Sequence, residues 1–288
     1  MPLELPPQLI LPSHYAGNRP AIIRPELDLA RYFPVQISRG ERRAILAELR
    51  RAGRTDANLP GMVPVVVGGG LAPFSWAFRG SHTDTANATT YSGGSWDGIS
   101  IGDAPTGLNK RFGIAVINSQ DDSGTTARLA SASAGGAMSP VDRTAAGVNI
   151  ATAIMIVELP TGTTVNLSAT FDGPIGGAQY AFYTMINPGA GLTAHAITKD
   201  ETHASGVIDL GLNVPAGGFA VAGCQGRNNA AMTLSWSGVT QRVNADLEST
   251  EMGTIGDTST SGSPVAITCT SSDTTPQNMV GISASWGP

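Results

Sequence analysis

Apolar and polar positions alternate along much of the chain beyond residue 73. Val165, Leu167, Ala169 and Phe171 take one face of a run whose other face is Thr164, Asn166, Ser168 and Thr170. That is the period of a strand with one buried side. Comparable runs predict strands at 74–79, 98–101, 111–118, 126–130, 149–158, 164–171, 178–186, 206–212, 218–224, 232–236, 265–270 and 279–286. Turn residues separate them, as in Asp97-Gly98, Pro160-Thr161-Gly162, Asp172-Gly173-Pro174, Asn187-Pro188-Gly189 and Pro215-Ala216-Gly217-Gly218. No helix-period segment lies between the strands, which argues against a parallel sheet with crossover helices. The fold class predicted is mainly β, with 73–288 an antiparallel β-sandwich body of jelly-roll type. Whether it is one sandwich or two stacked ones is not decided by the pattern.

The pattern changes upstream. Pro2, Pro6, Pro7, Pro12, Pro20, Pro25 and Pro34 interrupt residues 1–38, each fixing φ and pushing its predecessor away from the helical region. Apolar clusters lie between them, and Leu9, Ile10, Leu11, Ile22, Ile23, Arg24, Tyr32 and Phe33 are the candidate partner-binding residues of an extended arm. A solvated disordered tail is more polar than this. One short helix is predicted over about 39–52: Ser38 and Glu41 form a capping box, Ile45, Leu46 and Leu49 an apolar stripe, and Gly53 the stop. A single stripe on so short a helix needs a surface to pack on. A linker with Val65-Val66-Val67 and the hinge Gly68-Gly69-Gly70 completes an N-terminal anchoring arm over 1–72.

Composition sharpens this division. Charged residues make up 14% of the chain, against about 25% in ordinary globular domains, and Gly, Ser, Thr and Ala fill the difference. The net charge of −5 is uneven: residues 1–60 carry nine Arg against six acids, and the remainder eight basic against sixteen acidic residues. A mildly basic arm without Lys/Arg runs suits an acidic protein surface better than nucleic acid. No stretch reaches the length of about 18 apolar residues that a membrane span needs, and no signal-peptide pattern opens the chain, so synthesis without export is expected. Cys224 and Cys269 each sit in a strand-like run and read as small buried apolar residues, with a cross-strand bridge the alternative.

Candidate chemistry is sparse. His82 with Asp84, and Asp200, Glu201 and His203, are the local acid/His groups, and neither has zinc-ligand spacing. Asp121-Asp122-Ser123-Gly124 lacks the alternating ligands of a calcium loop and reads as a turn. There is no Gly-x-Ser-x-Gly elbow, and the triple glycine has no Lys-Ser/Thr after it. No catalytic residue, metal or cofactor is therefore predicted, and the chain reads as a non-enzyme. Trp76, Trp236 and Trp286 fall in strand-like runs; Trp96, in a Ser/Gly loop, is the candidate surface contact.

One internal echo is present: Phe112-Gly113-Ile114-Ala115-Val116 with Ser119-Gln120 against Phe219-Ala220-Val221-Ala222 with Gln225. Short apolar strands resemble one another by chance, so two half-domains do not follow from it alone.

The arm motif Arg19-Pro20-Ala21-Ile22-Ile23-Arg24-Pro25-Glu26 and Met62-Val63-Pro64 with the glycine hinge carry a resemblance. So do Asn213-Val214-Pro215-Ala216-Gly217-Gly218-Phe219, Trp236-Ser237-Gly238-Val239-Thr240 and the closing Gly281-Ile282-Ser283-Ala284-Ser285-Trp286. Together they resemble accessory virion proteins of alphaproteobacterial tailed phages and gene-transfer-agent-like particles. The resemblance implies a head or collar spike, fibre-base or decoration protein. Its implied partners are capsid, portal, neck or spike components and further copies of itself, from trimer to hexamer. A tail-associated adhesin binding a host-surface glycan is the alternative.

Overall fold

The computed structural model describes residues 72–121, 128–144, 149–201, 206–228, 230–248 and 250–288. The predicted helix over 39–52, the eight candidate arm residues and the glycine hinge lie outside the described residues. So do His203 and most of the Asp121-Asp122-Ser123-Gly124 turn.

Ten strands occupy the first half of the body: β1 Ser75–Asp84, β2 Ala88–Tyr91, β3 Ile99–Ser100, β4 Arg111–Gln120, β5 Leu129–Ala134, β6 Ser139–Arg143, β7 Ile150–Glu158, β8 Thr164–Val165, β9 Leu167–Ile175 and β10 Gly177–Ile186. Ten more follow: β11 Ala196–Asp200, β12 Val207–Asp209, β13 Leu212–Val214, β14 Phe219–Arg227, β15 Leu234–Ser237, β16 Thr240–Glu248, β17 Glu251–Thr258, β18 Gly262–Val265, β19 Thr268–Ser271 and β20 Asn278–Trp286. Among the described residues the only helical piece is a 3-10 turn at Gly94–Trp96. The body is mainly β, and its ladders are antiparallel.

The sheet orders carry a regularity. The first half forms β1-β10-β4-β7-β6, β2-β9-β5 and β3-β8; the second forms β11-β20-β14-β17-β16, β12-β19-β15 and β13-β18. Adding ten to each strand number of the first half reproduces the second. Registers correspond too: Phe112 pairs with Met185 and Phe219 with Trp286. The Phe112 and Phe219 runs are thus equivalent strands, β4 and β14, and the weak sequence echo marks a duplicated ten-stranded unit.

Three hydrophobic clusters hold the body together. The first lies within the first unit, with Ala115, Ile117, Met155 and Phe182 from the five-stranded sheet against Leu129, Leu167 and Phe171 from the smaller one. The third does the same in the second unit, with Ala220, Ala222 and Cys224 against Ile208, Leu234 and Cys269. The second cluster joins the units: Phe112, Ile114, Ile154, Tyr183 and Met185 meet Phe219, Val221, Ile255, Ala284 and Trp286. The large sheets are therefore covered on both faces. This is why β4, β7, β10, β14 and β20 read as continuous apolar runs more than as alternating ones.

The contact between units is apolar towards one end of the strands and polar towards the other. At the polar end Asn118 Nδ2 donates to the carbonyls of Cys224 (3.0 Å) and Thr254 (3.2 Å), while its Oδ1 accepts from Thr152 Oγ1 at 2.8 Å. Gln225 Oε1 accepts the Ser119 N–H at 3.1 Å. β1 lies over β16 along one seam and β6 beside β11 along the other. Strands β1 and β11 are equivalents, as are β6 and β16, so the two seams exchange under a two-fold relation, the isologous geometry of a symmetric dimer built into one chain.

Candidate functional site

Two places gather side chains that could serve a partner: the point where the chain enters the body, and one of the two seams.

The entry point is a side-chain clamp. Asn187 follows β10 with φ +49°, a left-handed conformation that Asn tolerates better than most residues. That geometry lets its Oδ1 accept the Lys110 N–H (2.7 Å) and its Nδ2 donate both to the Ala72 carbonyl (2.7 Å) and to Asn109 Oδ1 (2.8 Å). Asn109 Oδ1 also accepts the Ala72 N–H at 2.7 Å. Both backbone groups of Ala72 are held, so the chain enters β1 from a fixed point. Gly189, two residues beyond Asn187, accepts no side chain because a Cβ would meet the Pro288 carbonyl at 2.5 Å. Pro288 therefore lies at this same end of the body.

The seams differ although the fold makes them equivalent. Phe78 of β1 pairs with Tyr183, and Ile197 of β11 pairs with Ala284, the matching position. Arg242 sits in the bulge of β16, between Gln241 and Val243, and Val141 in the corresponding bulge of β6, between Pro140 and Asp142. A bulge re-aims the extra residue. On the β1/β16 seam the guanidinium of Arg242 lies 4.9 Å from the Phe78 ring centroid and forks onto Asp257, with Nη2 to Oδ1 at 2.9 Å. The hydrogen bond to buried Asp257 raises the Arg242 pKa above its ordinary value. That seam is closed.

On the β6/β11 seam the large pair is replaced by Val141 and Ile197, and Ile197 stays 43% exposed. A groove of about 380 Å³ runs there, lined by Arg128, Pro140, Val141, Asp142, Arg143, Thr144 and Lys199. Lys199 Nζ donates to the Arg143 carbonyl at 3.1 Å and stands 3.7 Å from both Asp142 and Glu201. These contacts lie at the surface, where water weakens ion pairs. Arg143 Nη1 donates to the Leu129 carbonyl, which aligns it along the groove wall. The Arg128 guanidinium joins no ion pair among the described residues.

Trp96 does not serve as a surface contact. Gly93 and Gly94 hold positive φ and turn the loop inward, and the indole is 1% exposed, 4.7 Å from the Tyr180 ring and 5.7 Å from Tyr91. Trp286 is buried as expected, and Trp76 stacks on Phe219 at 4.7 Å. Trp236 is half-buried, its Nε1 donating to Thr254 Oγ1 at 2.8 Å. Cys224 and Cys269 are free thiols, both fully buried; burial, then the neighbouring Cys269 thiol, pushes the Cys224 thiol well above its ordinary pKa. They are apolar filling, with no bridge.

Sequence reasoning missed two arginines. Arg111 is wholly buried and donates to the carbonyls of Gly102, Asp103, Thr161 and Gly162 at 2.7–2.8 Å. Arg79, in the bulge of β1, donates to Thr184 Oγ1 at 2.6 Å. Burial lowers the pKa of both. Arg111 ties the loops 101–103 and 159–162 to the sheet, a structural task. Among the described residues no group of three His, Cys, Asp or Glu side chains gathers as metal ligands, and no helix is long and apolar enough to cross a membrane.

Comparison with protein-family models, curated proteins and solved structures gives no match.

Proposed function

We propose that the chain is a structural component of a tailed-phage-like virion, held to the head or collar through residues 1–72 with the β body projecting. The observation that carries this reading is the clamp of Asn109 and Asn187 on Ala72, which gives the arm a fixed departure point at one end of the body. Both backbone groups of Ala72 being held, a load applied through the arm passes directly into β1, β4 and β10. Each ten-stranded unit is read as a jelly roll, supported by its nested pairing: β1 with β10, β2 with β9, β3 with β8 and β4 with β7. In this role the chain needs no catalysis; it needs a rigid body whose partners are other virion proteins and further copies of itself.

The open seam favours a second reading, a tail-associated adhesin for a host-surface glycan. Deleting residues 1–71 separates the two. Loss of the truncated body from purified particles, with no binding to cells, supports the anchored structural role. Strong cell binding by the truncated body makes adhesion the function. A body that still enters particles without its arm rules out the anchoring role of the arm.

A further inference from the structure

The β6/β11 groove is the place where the two-fold relation breaks. On the other seam Arg242 lies over Phe78; here the equivalent positions hold Val141, which lines the groove, and Ile197, which stays exposed. What lines the space is chemically mixed. Pro140 and Val141 give an apolar strip, Thr144 is tied to Thr152 beside it, and among the described residues Arg128, Arg143 and Lys199 bring three cations against two carboxylates, Asp142 in the lining and Glu201 beside Lys199. The Lys199 ammonium is oriented by the Arg143 carbonyl, and Arg143 by the Leu129 carbonyl, so two of the three cations are positioned before any ligand arrives. A volume of about 380 Å³ falls at the small end of ligand pockets, which run from about 300 to 1,000 Å³.

We propose that this groove binds a hexuronic acid unit of an acidic oligosaccharide. The carboxylate meets the guanidinium forks of Arg128 and Arg143, which match its two oxygens. The C–H face of the sugar ring lies on Pro140 and Val141, and Lys199 and Asp142 take ring hydroxyls. A simple inorganic anion uses only the cations and leaves the apolar strip wet, so the groove favours an anion with an apolar face. The inference stands apart from the virion reading: it concerns the purified protein, and either can fail without the other.

Isothermal titration calorimetry on the full chain tests it, with a glucuronate-containing oligosaccharide, the same oligosaccharide with its carboxyls reduced to alcohols, and inorganic phosphate. The acidic sugar is expected to bind, more weakly as salt rises, with the neutral sugar and phosphate at least roughly tenfold weaker. Val141→Arg, which copies the other seam, and Arg128→Gln, a change at an exposed side chain outside the clusters, should each lose roughly tenfold or more. Equal binding of the neutral sugar overturns the proposal, and so does equal binding of phosphate. Undiminished binding by a folded Arg128→Gln variant, or no binding of the acidic sugar at all, also overturns it.

Discussion

Replacing Phe219 by Ala tests whether the two units form one cooperative body. Phe219 is fully buried at the join; its ring stacks on Trp76 at 4.7 Å and lies 5.9 Å from Trp286, 6.2 Å from Phe74 and 6.4 Å from Tyr183. Three of these neighbours belong to the first unit and one to the second. Removing a buried Phe side chain costs about 3–5 kcal/mol, and aromatic pairs add about 0.5–1.5 kcal/mol beyond area burial. With four rings around it, Phe219 belongs at the upper end, about 5 kcal/mol. In a body of this size each kcal/mol moves Tm by about 2–4 °C, so a fall of about 10–20 °C is expected in calorimetry. Hydrogen exchange on the same variant should show β4 and β10 losing protection together with β14 and β20, since the cluster is shared. A variant in which the second unit loosens while residues 75–186 keep full protection would refute the coupling. So would a fall in Tm of only a degree or two.

Other consequences follow from the same geometry. Gly253→Ala should destabilise the body markedly, because a Cβ there comes within 2.2 Å of Gln179 Nε2; the double variant with Gln179→Ala should recover part of the loss in denaturant melts. Asn118→Ala removes the buried amide that donates to the Cys224 and Thr254 carbonyls and accepts from Thr152 Oγ1 and should cost about 1–3 kcal/mol, read by the same melts. Burial lifts Tyr180 to about 12 from 10.0, and burial with the Asp257 charge lifts Tyr183 well above it. The folded state therefore holds protons that the unfolded chain releases, and stability falls as pH rises from 10 towards 12. In a Tyr15→Phe/Tyr32→Phe variant, whose remaining tyrosines all lie in the body, tyrosinate absorbance should then appear together with unfolding and not before it. Asn187→Ala should speed proteolysis close to Ala72 while leaving Tm within about 2–4 °C of the parent, measured by timed digestion and mass spectrometry.

Most central strands of the two large sheets were legible in the sequence, while of their four edge strands only β1 was, over 74–79. β4, β7, β10, β14 and β20 announce themselves as apolar runs because both of their faces are covered. β6, β11 and β16 went unpredicted because edge strands carry charge and proline, as in Pro140, Asp142, Arg143, Lys199 and Arg242, which blunt pairing with other chains. β17 went unpredicted for a different reason: Gly253 and Gly256 break its pattern, yet each faces a neighbour that fills the missing volume, Gln179 and Val239. The duplication was nearly invisible, since strand order and register repeat while side chains do not; Tyr183 answers to Ala284 and Arg242 to Val141. Trp96 was misjudged because its Ser/Gly surroundings read as exposed loop, and the positive φ of Gly93 and Gly94 that turns it inward has no distinct sequence signal. The groove had no sequence signal because its lining comes from separate stretches, Arg128, 140–144 and Lys199, which only the pairing of strands brings together.

Immunogold electron microscopy on purified particles, with antibody raised against residues 73–288, addresses the central claim most directly. The account predicts label on heads or at the neck, in a fixed number of positions per particle. Label confined to the tail tip would transfer the function to host recognition, and particles without label from cells that express the chain would contradict the virion assignment altogether.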